Sequence, residues 1–155
     1  MKITSRASDY ALLLLIHLAA LKTDETTNVK KVASELRLSL RFLANIANKL
    51  SIGRIIVSSR GVHGGIKLGR PINKISIKDV IEAVDGPIQT MFCQNTHELC
   101  SFEQLCQMKY FWDDIQGTVM EKLERTTIED LLAHKIHGGG NRMPLSSESM
   151  QPTMV

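Results

Sequence analysis

The 155 residues include 19 Lys and Arg against 16 Asp and Glu, with 43% hydrophobic and 23% charged positions, the make-up of one ordinary globular domain. No apolar run reaches the ~20 residues of a membrane span, and the small net charge of +3 conceals a division. Met1 to Lys74 holds 13 basic against 4 acidic residues, whereas Ile75 to Val155 holds 6 against 12. Between Thr26 and Lys74, ten basic residues accompany a single acid, Glu35. That bias points to a polyanionic partner for the first half, with a merely solvated basic face as the plain alternative.

From about Ser8 to Lys22 the chain is apolar nearly all round, which predicts a helix buried on most sides. Its ALLLLIHLAAL run (11–21) is too short for a bilayer and is interrupted by His17. A secretory leader is disfavoured, because Asp9 lies where a leader is basic and Ser8-Asp9 suits a helix opening. After the polar stretch 23–27, Asn28 can cap a short helix carrying Val29, Val32, Ala33 and Leu36. A break follows at Arg37-Leu38. Ser39 can then cap a second helix whose apolar stripe is Phe42, Leu43, Ile46, Ala47 and Leu50, leaving Leu40, Arg41, Ala44, Asn45 and Asn48 outside. Two short helices across a tight turn, the second displaying polar and basic groups, form a helix-turn-helix pattern. An ordinary helical hairpin would share it.

Ile55-Ile56-Val57 next predicts a strand, SSRGVHGG (58–65) a glycine-rich turn, and Ile66-Lys67-Leu68 the returning strand. A basic hairpin directly behind a recognition helix makes a winged helix-turn-helix, with Arg60 at a tip suited to a narrow minor groove. A phosphate-cradling P-loop is excluded, because no G-K-[ST] follows and no helix opens there. IKDVIEAVDGP (77–87) predicts a short amphipathic helix stopped by Gly86-Pro87. Farther on, Leu105, Met108, Trp112, Ile115, Val119 and Leu123 recur at three- and four-residue steps, predicting a helix of about twenty residues with one apolar seam. The seam could pack within its own chain. Dimerisation is preferred, because a helix-turn-helix commonly reads two half-sites as a symmetric pair. Thr127-Ile128-Glu129-Asp130 offers capping chemistry for a last short helix. From Gly138 the composition is that of a disordered tail.

All three cysteines, Cys93, Cys100 and Cys106, fall within CQNTHELCSFEQLC (93–106). On a helix Cys100 and Cys106 would differ by about 240°, so the sulfurs converge only if most of the segment is loop. So few apolar residues cannot order such a loop, and a metal centre would supply the ordering energy. Four readings stay open. Three thiolates plus a fourth ligand could hold an iron–sulfur cluster. The same three plus His97 could make a Cys₃His zinc site, although no C-x2–4-C pair is present. Two could form a disulfide that the third attacks, or all three could be reduced and inert. The odd count argues against a secreted disulfide framework, and a reducing cytoplasm is the expected compartment.

MKITSRASDYAL, LSLRFLANIANKL, SSRGVHGGIKLGRP, ISIKDVIEAVDGP, the three-cysteine loop and TTIEDLL together resemble the bacterial iron–sulfur regulators of the IscR/NsrR family, over roughly residues 1 to 135. The resemblance implies a mainly α protein with a small β-hairpin. Its parts would be a winged helix-turn-helix DNA-binding domain (1–87), a cysteine cluster-binding loop (88–106), dimerisation and C-terminal helices (107–136) and a tail (137–155). It implies a cytoplasmic, homodimeric transcription factor that binds double-stranded operator DNA, most often a repressor, and neither an enzyme nor a membrane protein. Its iron–sulfur cluster, 4Fe–4S in preference to 2Fe–2S, would report nitric oxide, iron or redox status.

Cys93, Cys100 and Cys106 are the implied cluster ligands. One branch of the family completes the set with a histidine three residues past the last cysteine, where this chain has Lys109. The nitric-oxide-sensing branch uses an aspartate from the first helix of the partner subunit, and Asp9 stands in that place; His97, Glu98 or a non-protein ligand remain open. By position in the motif, Ser39, Arg41, Phe42 and Asn45 are the expected contacts of the recognition helix, Arg41 suiting guanine and Asn45 adenine. Arg60, His63 and Lys67 are expected in the wing, and Lys30, Lys31 and Lys49 at phosphates. The rival expectation is a zinc-stabilised or thiol/disulfide-switched DNA-binding regulator without a cluster.

Overall fold

A computed structural model describes residues 4–21, 25–59, 61, 64–90 and 106–133. The chain runs through α1 (Arg6–Ala19), α2 (Val29–Glu35), α3 (Leu40–Ile52), the strands β1 (Ile56–Ser59) and β2 (Gly65–Leu68), a 3-10 turn (Ile72–Lys74), α4 (Ile77–Asp85), α5 (Gln107–Arg125) and α6 (Ile128–Leu132). This is the mainly helical winged helix-turn-helix architecture with one antiparallel hairpin that the sequence predicts.

α1 begins two residues ahead of the predicted start. Ser5, not Ser8, caps it, its hydroxyl accepting from the amides of Ala7 and Ser8. Ser8 instead lies fully buried in the first turn, on the face that continues through Ala11, Leu14, Leu15 and Leu18. α2 and α3 start where their caps predict: Asn28 accepts from Lys30 N at 2.8 Å, and Ser39 from Phe42 N at 3.2 Å. The turn between them is closed by Leu38 N donating to the Ala33 carbonyl at 2.8 Å, with Arg37 at a φ of 53°. That left-handed conformation suits glycine better, so the arginine is held there by the helices on either side.

In the wing, Ile56 pairs with Leu68, Val57 with Lys67, Ser58 with Ile66 and Ser59 with Gly65. Thr27 adds a bridge to the far side of β2, exchanging both backbone bonds with Ile66 at 3.1 and 2.8 Å. A Cβ at Gly65 would stand 2.6 Å from the Thr27 carbonyl, so only glycine lets the entry to α2 lie this close to the hairpin.

α4 carries a reciprocal cap between Ser76 and Asp79 and ends at Gly86, whose φ of 87° turns the chain away. α6 has the same reciprocal cap in Thr127 and Asp130. It returns to the core: Ile77 N donates to Thr126 O at 2.8 Å, Ile128 N to Ile75 O at 3.0 Å, and the Ile128 side chain is wholly enclosed. Leu14, Leu15, Leu43, Ile46, Leu50, Ile55, Ile56, Ile75 and Ile81 share that core, each stabilised by about 1.5–3 kcal/mol relative to exposure.

α5 differs from every other long helix, because none of its side chains is fully buried. Its apolar seam divides. Met120 and Leu123 rest on the core, and Gln116 Nε2 donates to the Ile88 carbonyl at 2.6 Å. Met108 and Phe111 remain 68% and 60% exposed, on a strip with Ile115 that lies roughly 100° round the axis. No helix among the described residues is long and apolar enough to cross a membrane.

Candidate nucleic-acid interface

α2 packs against α3 and leaves the outer face of α3 open. Four side chains expected from the motif, Ser39, Arg41, Phe42 and Asn45, line one groove on that face. Ser39, Arg41 and Asn45 are exposed, while Phe42 is half-buried. Phe42 is fixed by Tyr10 of α1 in an edge-to-face contact, ring centroids 5.8 Å apart and planes at 88°; such a pair is worth about 0.5–1.5 kcal/mol beyond its buried area. The groove therefore combines a guanidinium, an amide and a hydroxyl above a rigid aromatic floor. Those groups can bond base edges in a major groove. Leu40, 46% exposed at the helix start, adds an apolar surface suited to a thymine methyl.

Lys30 and Lys31 are exposed on α2 beside Asn28 and Ser34, within reach of phosphates. Lys49 is not. Its ammonium donates to the Val84 carbonyl at the end of α4, where the helix macrodipole favours a cation. The expectation of a phosphate contact there is corrected: Lys49 ties α3 to α4. Lys67 stands on β2 away from the α3 groove and contributes to a hollow between the wing and the end of α1, together with Leu18, Glu25 and Arg70. Arg70 is ion-paired with Asp79 at 3.2 Å. Arg60 and His63 of the wing tip lie outside the described residues.

Of the expected cluster ligands, Cys93 and Cys100 lie outside the described residues, as does His97. Cys106 occupies the N-cap position of α5, half-buried and unbridged, and its side chain makes no capping bond. Asp9 is exposed in the first turn of α1. Among the described residues no three His, Cys, Asp or Glu side chains gather into a metal-holding group. Cys106 is the one thiol of the expected ligand set among the described residues. A thiolate is the donor such clusters take, and a helix N-terminus stabilises negative charge beside Cys106.

One constellation had no precedent in the spacing of the sequence. Asp85, the last residue of α4, accepts from Ser5 N at 2.9 Å, Ser5 Oγ at 2.6 Å and Ser8 Oγ at 2.7 Å. Ser8 reads in the sequence as part of a helix opening, but the partner it shares with Ser5 lies 77 residues from it and 80 from Ser5.

The sequence model of the Rrf2 family, described as an iron-dependent transcriptional regulator, matches residues 4–134. Among solved structures, CymR, the global cysteine regulator of B. subtilis, is 29% identical with a TM-score of 0.72, covering 86% of this chain and 98% of that one. The oxidized form of Staphylococcus aureus CymR is 28% identical with a TM-score of 0.65, covering 84% and 95%. T. potens IscR shares the fold at 21% identity and a TM-score of 0.65, covering 90% and 94%. With its helix-turn-helix, wing and long α5 all inside the matched span, the chain belongs to the Rrf2 family and is a winged-helix transcriptional regulator, not an enzyme.

Proposed function

We propose that the protein is a cytoplasmic, homodimeric repressor whose hold on duplex operator DNA is governed by an iron–sulfur cluster, 4Fe–4S in preference to 2Fe–2S. Cys93, Cys100 and Cys106 hold it, with Asp9 of the partner subunit as the fourth ligand. When bound, the group supplies a site that nitric oxide, iron supply or oxidants can alter. The observation that carries this reading is the position of Cys106: an unbridged thiol at the start of α5, between the DNA-reading half and a helix with an uncovered apolar strip. The family description as iron-dependent supports it.

Residues 1–87 bind DNA, 88–106 carry the sensor, 107–136 dimerise, and 137–155 form a tail. Arg41 reads guanine and Asn45 adenine, Ser39 and Phe42 fix the register, and Arg60, His63 and Lys67 serve the wing in the minor groove. Two recognition helices must sit about 34–36 Å apart to enter successive major grooves. Release of the cysteine segment shifts α5 and thereby that spacing, and a coupling of about 1–3 kcal/mol changes operator affinity by 5- to 150-fold.

A second reading is favoured by the structural likeness to CymR, one form of which is oxidized. In it the same three thiols act by disulfide formation, with no cluster. One experiment separates the two. Protein purified without oxygen should be coloured and contain iron and sulfide, Cys100→Ala should remove the visible absorbance, and nitric oxide should change operator binding. Colourless, iron-free protein whose DNA binding follows peroxide and thiol reductant instead would establish the disulfide reading.

A further inference from the structure

Three elements meet at the end of α4. Asp85 receives the first turn of α1 through the Ser5 amide and hydroxyl and the Ser8 hydroxyl, at 2.6–2.9 Å. Ser8 is 0% exposed, so its hydroxyl has no water to turn to if the carboxylate is lost, and an unmet buried donor is costly. The preceding residue, Val84, receives Lys49 from the last turn of α3 on its carbonyl. Gly86 then turns the chain, and the carbonyl of buried Ile88 receives Gln116 of α5 at 2.6 Å. Between residues 84 and 88 the chain thus touches the reading helix, α1 and α5 in succession. Beyond residue 90 it leads to the cysteines. α1 also meets the reading helix directly, through Tyr10 on Phe42.

We propose that Asp85 is a positioning residue for operator recognition: by clasping Ser5 and Ser8 beside the Val84–Lys49 bond, it holds α1 and the reading helix at one fixed angle to the segment that leads to the cysteines. Base-edge contacts demand that angle, because hydrogen bonds weaken steeply when misaligned. Contacts to phosphates tolerate its loss, since their attraction carries no sequence information. The inference rests on the DNA-binding role and deepens the proposed sensing role by naming the junction that passes the signal.

The test uses the full-length protein and two fluorescent duplexes, one selected from random-sequence DNA by the wild type and one of shuffled sequence with the same composition. Asp85→Asn should weaken the selected duplex at least fivefold and the shuffled duplex less than twofold, and Asp85→Glu should recover binding to within threefold. In the iron-loaded and iron-free forms, the wild type should differ in affinity for the selected duplex. Asp85→Asn, with unchanged iron content, should bring that ratio close to one. Equal weakening on both duplexes, no weakening, or a wild-type ratio in Asp85→Asn overturns the proposal. Should wild-type protein prove iron-free, the cluster reading fails alone, and the selected-against-shuffled comparison still decides the role of Asp85.

Discussion

The charge on Asp85 is pulled in opposite directions. Partial burial pushes its pKa up, but hydrogen bonds from the Ser5 and Ser8 hydroxyls and the Ser5 amide, with the nearby Lys49 charge, outweigh this and hold the carboxyl below its usual value. A depressed pKa means that the ionised form stabilises the fold above the unfolded-state value of about 3.9. That contribution disappears as pH falls through the lower folded value. Urea melts from pH 7 to pH 3 should therefore show wild type losing stability toward acid. Asp85→Asn should be weaker at neutral pH by on the order of 1 kcal/mol, a low figure for bonds to a charge because the residue is exposed, and should fall less steeply. Parallel curves would exclude this role for the carboxylate. Neighbouring residues show why sequence reading stopped short here. Ser5 and Ser8 can both cap a helix, and local chemistry does not choose between them. The choice is made by Asp85, reaching across the whole DNA-binding half. Lys49 misled for a related reason: a lysine on a DNA-reading helix looks like a phosphate contact until its carbonyl partner is known.

At the scale of elements, caps and turns were readable because their chemistry spans only a few residues. Asn28, Ser39 and Thr127 all cap where the sequence places them, and Gly86 ends α4. The wing strands were readable from their apolar residues and glycines, each shifted by about one position. What periodicity could not reveal was the division of the α5 seam. Regular spacing marks residues that avoid water, but not which of two neighbours each one meets. Met120 and Leu123 meet their own core, whereas Met108 and Phe111 stay largely uncovered by the described residues. A second copy covering that strip gives a direct prediction. Phe111→Glu should keep the helical circular dichroism of the wild type and halve the sedimenting mass, because a charge would be desolvated in the pair but not in the single chain. A variant that still sediments at the wild-type mass would rule out this strip as the interface.

For the whole molecule, the division of charge into a basic first half and an acidic second half means that a polyanion is drawn to the first half, which orients the protein before any base is read. Anchoring and reading should separate in titrations against salt. Replacing both Lys30 and Lys31 by alanine should lower the slope of log K against log salt by about 2, near 0.9 for each phosphate no longer neutralised, while sequence preference stays unchanged. Arg41→Ala should leave the slope almost intact and cost about 1–3 kcal/mol of discrimination at one base pair. If both variants behave alike, the assignment of readers and anchors is wrong. The 19-residue α5 completes the arrangement mechanically. Its far end is stitched to the core through Thr126 and Ile128, and its middle is pinned at Ile88, while its first two turns are mostly exposed and bear Cys106 at the tip. It is a rod ~28 Å long, joined to the core along its rear and surface-exposed among the described residues at its front. Under the proposed sensing role, a change at Cys106 would be felt at that exposed end of α5 and not in the hydrophobic interior, so signal and stability need not be traded against each other.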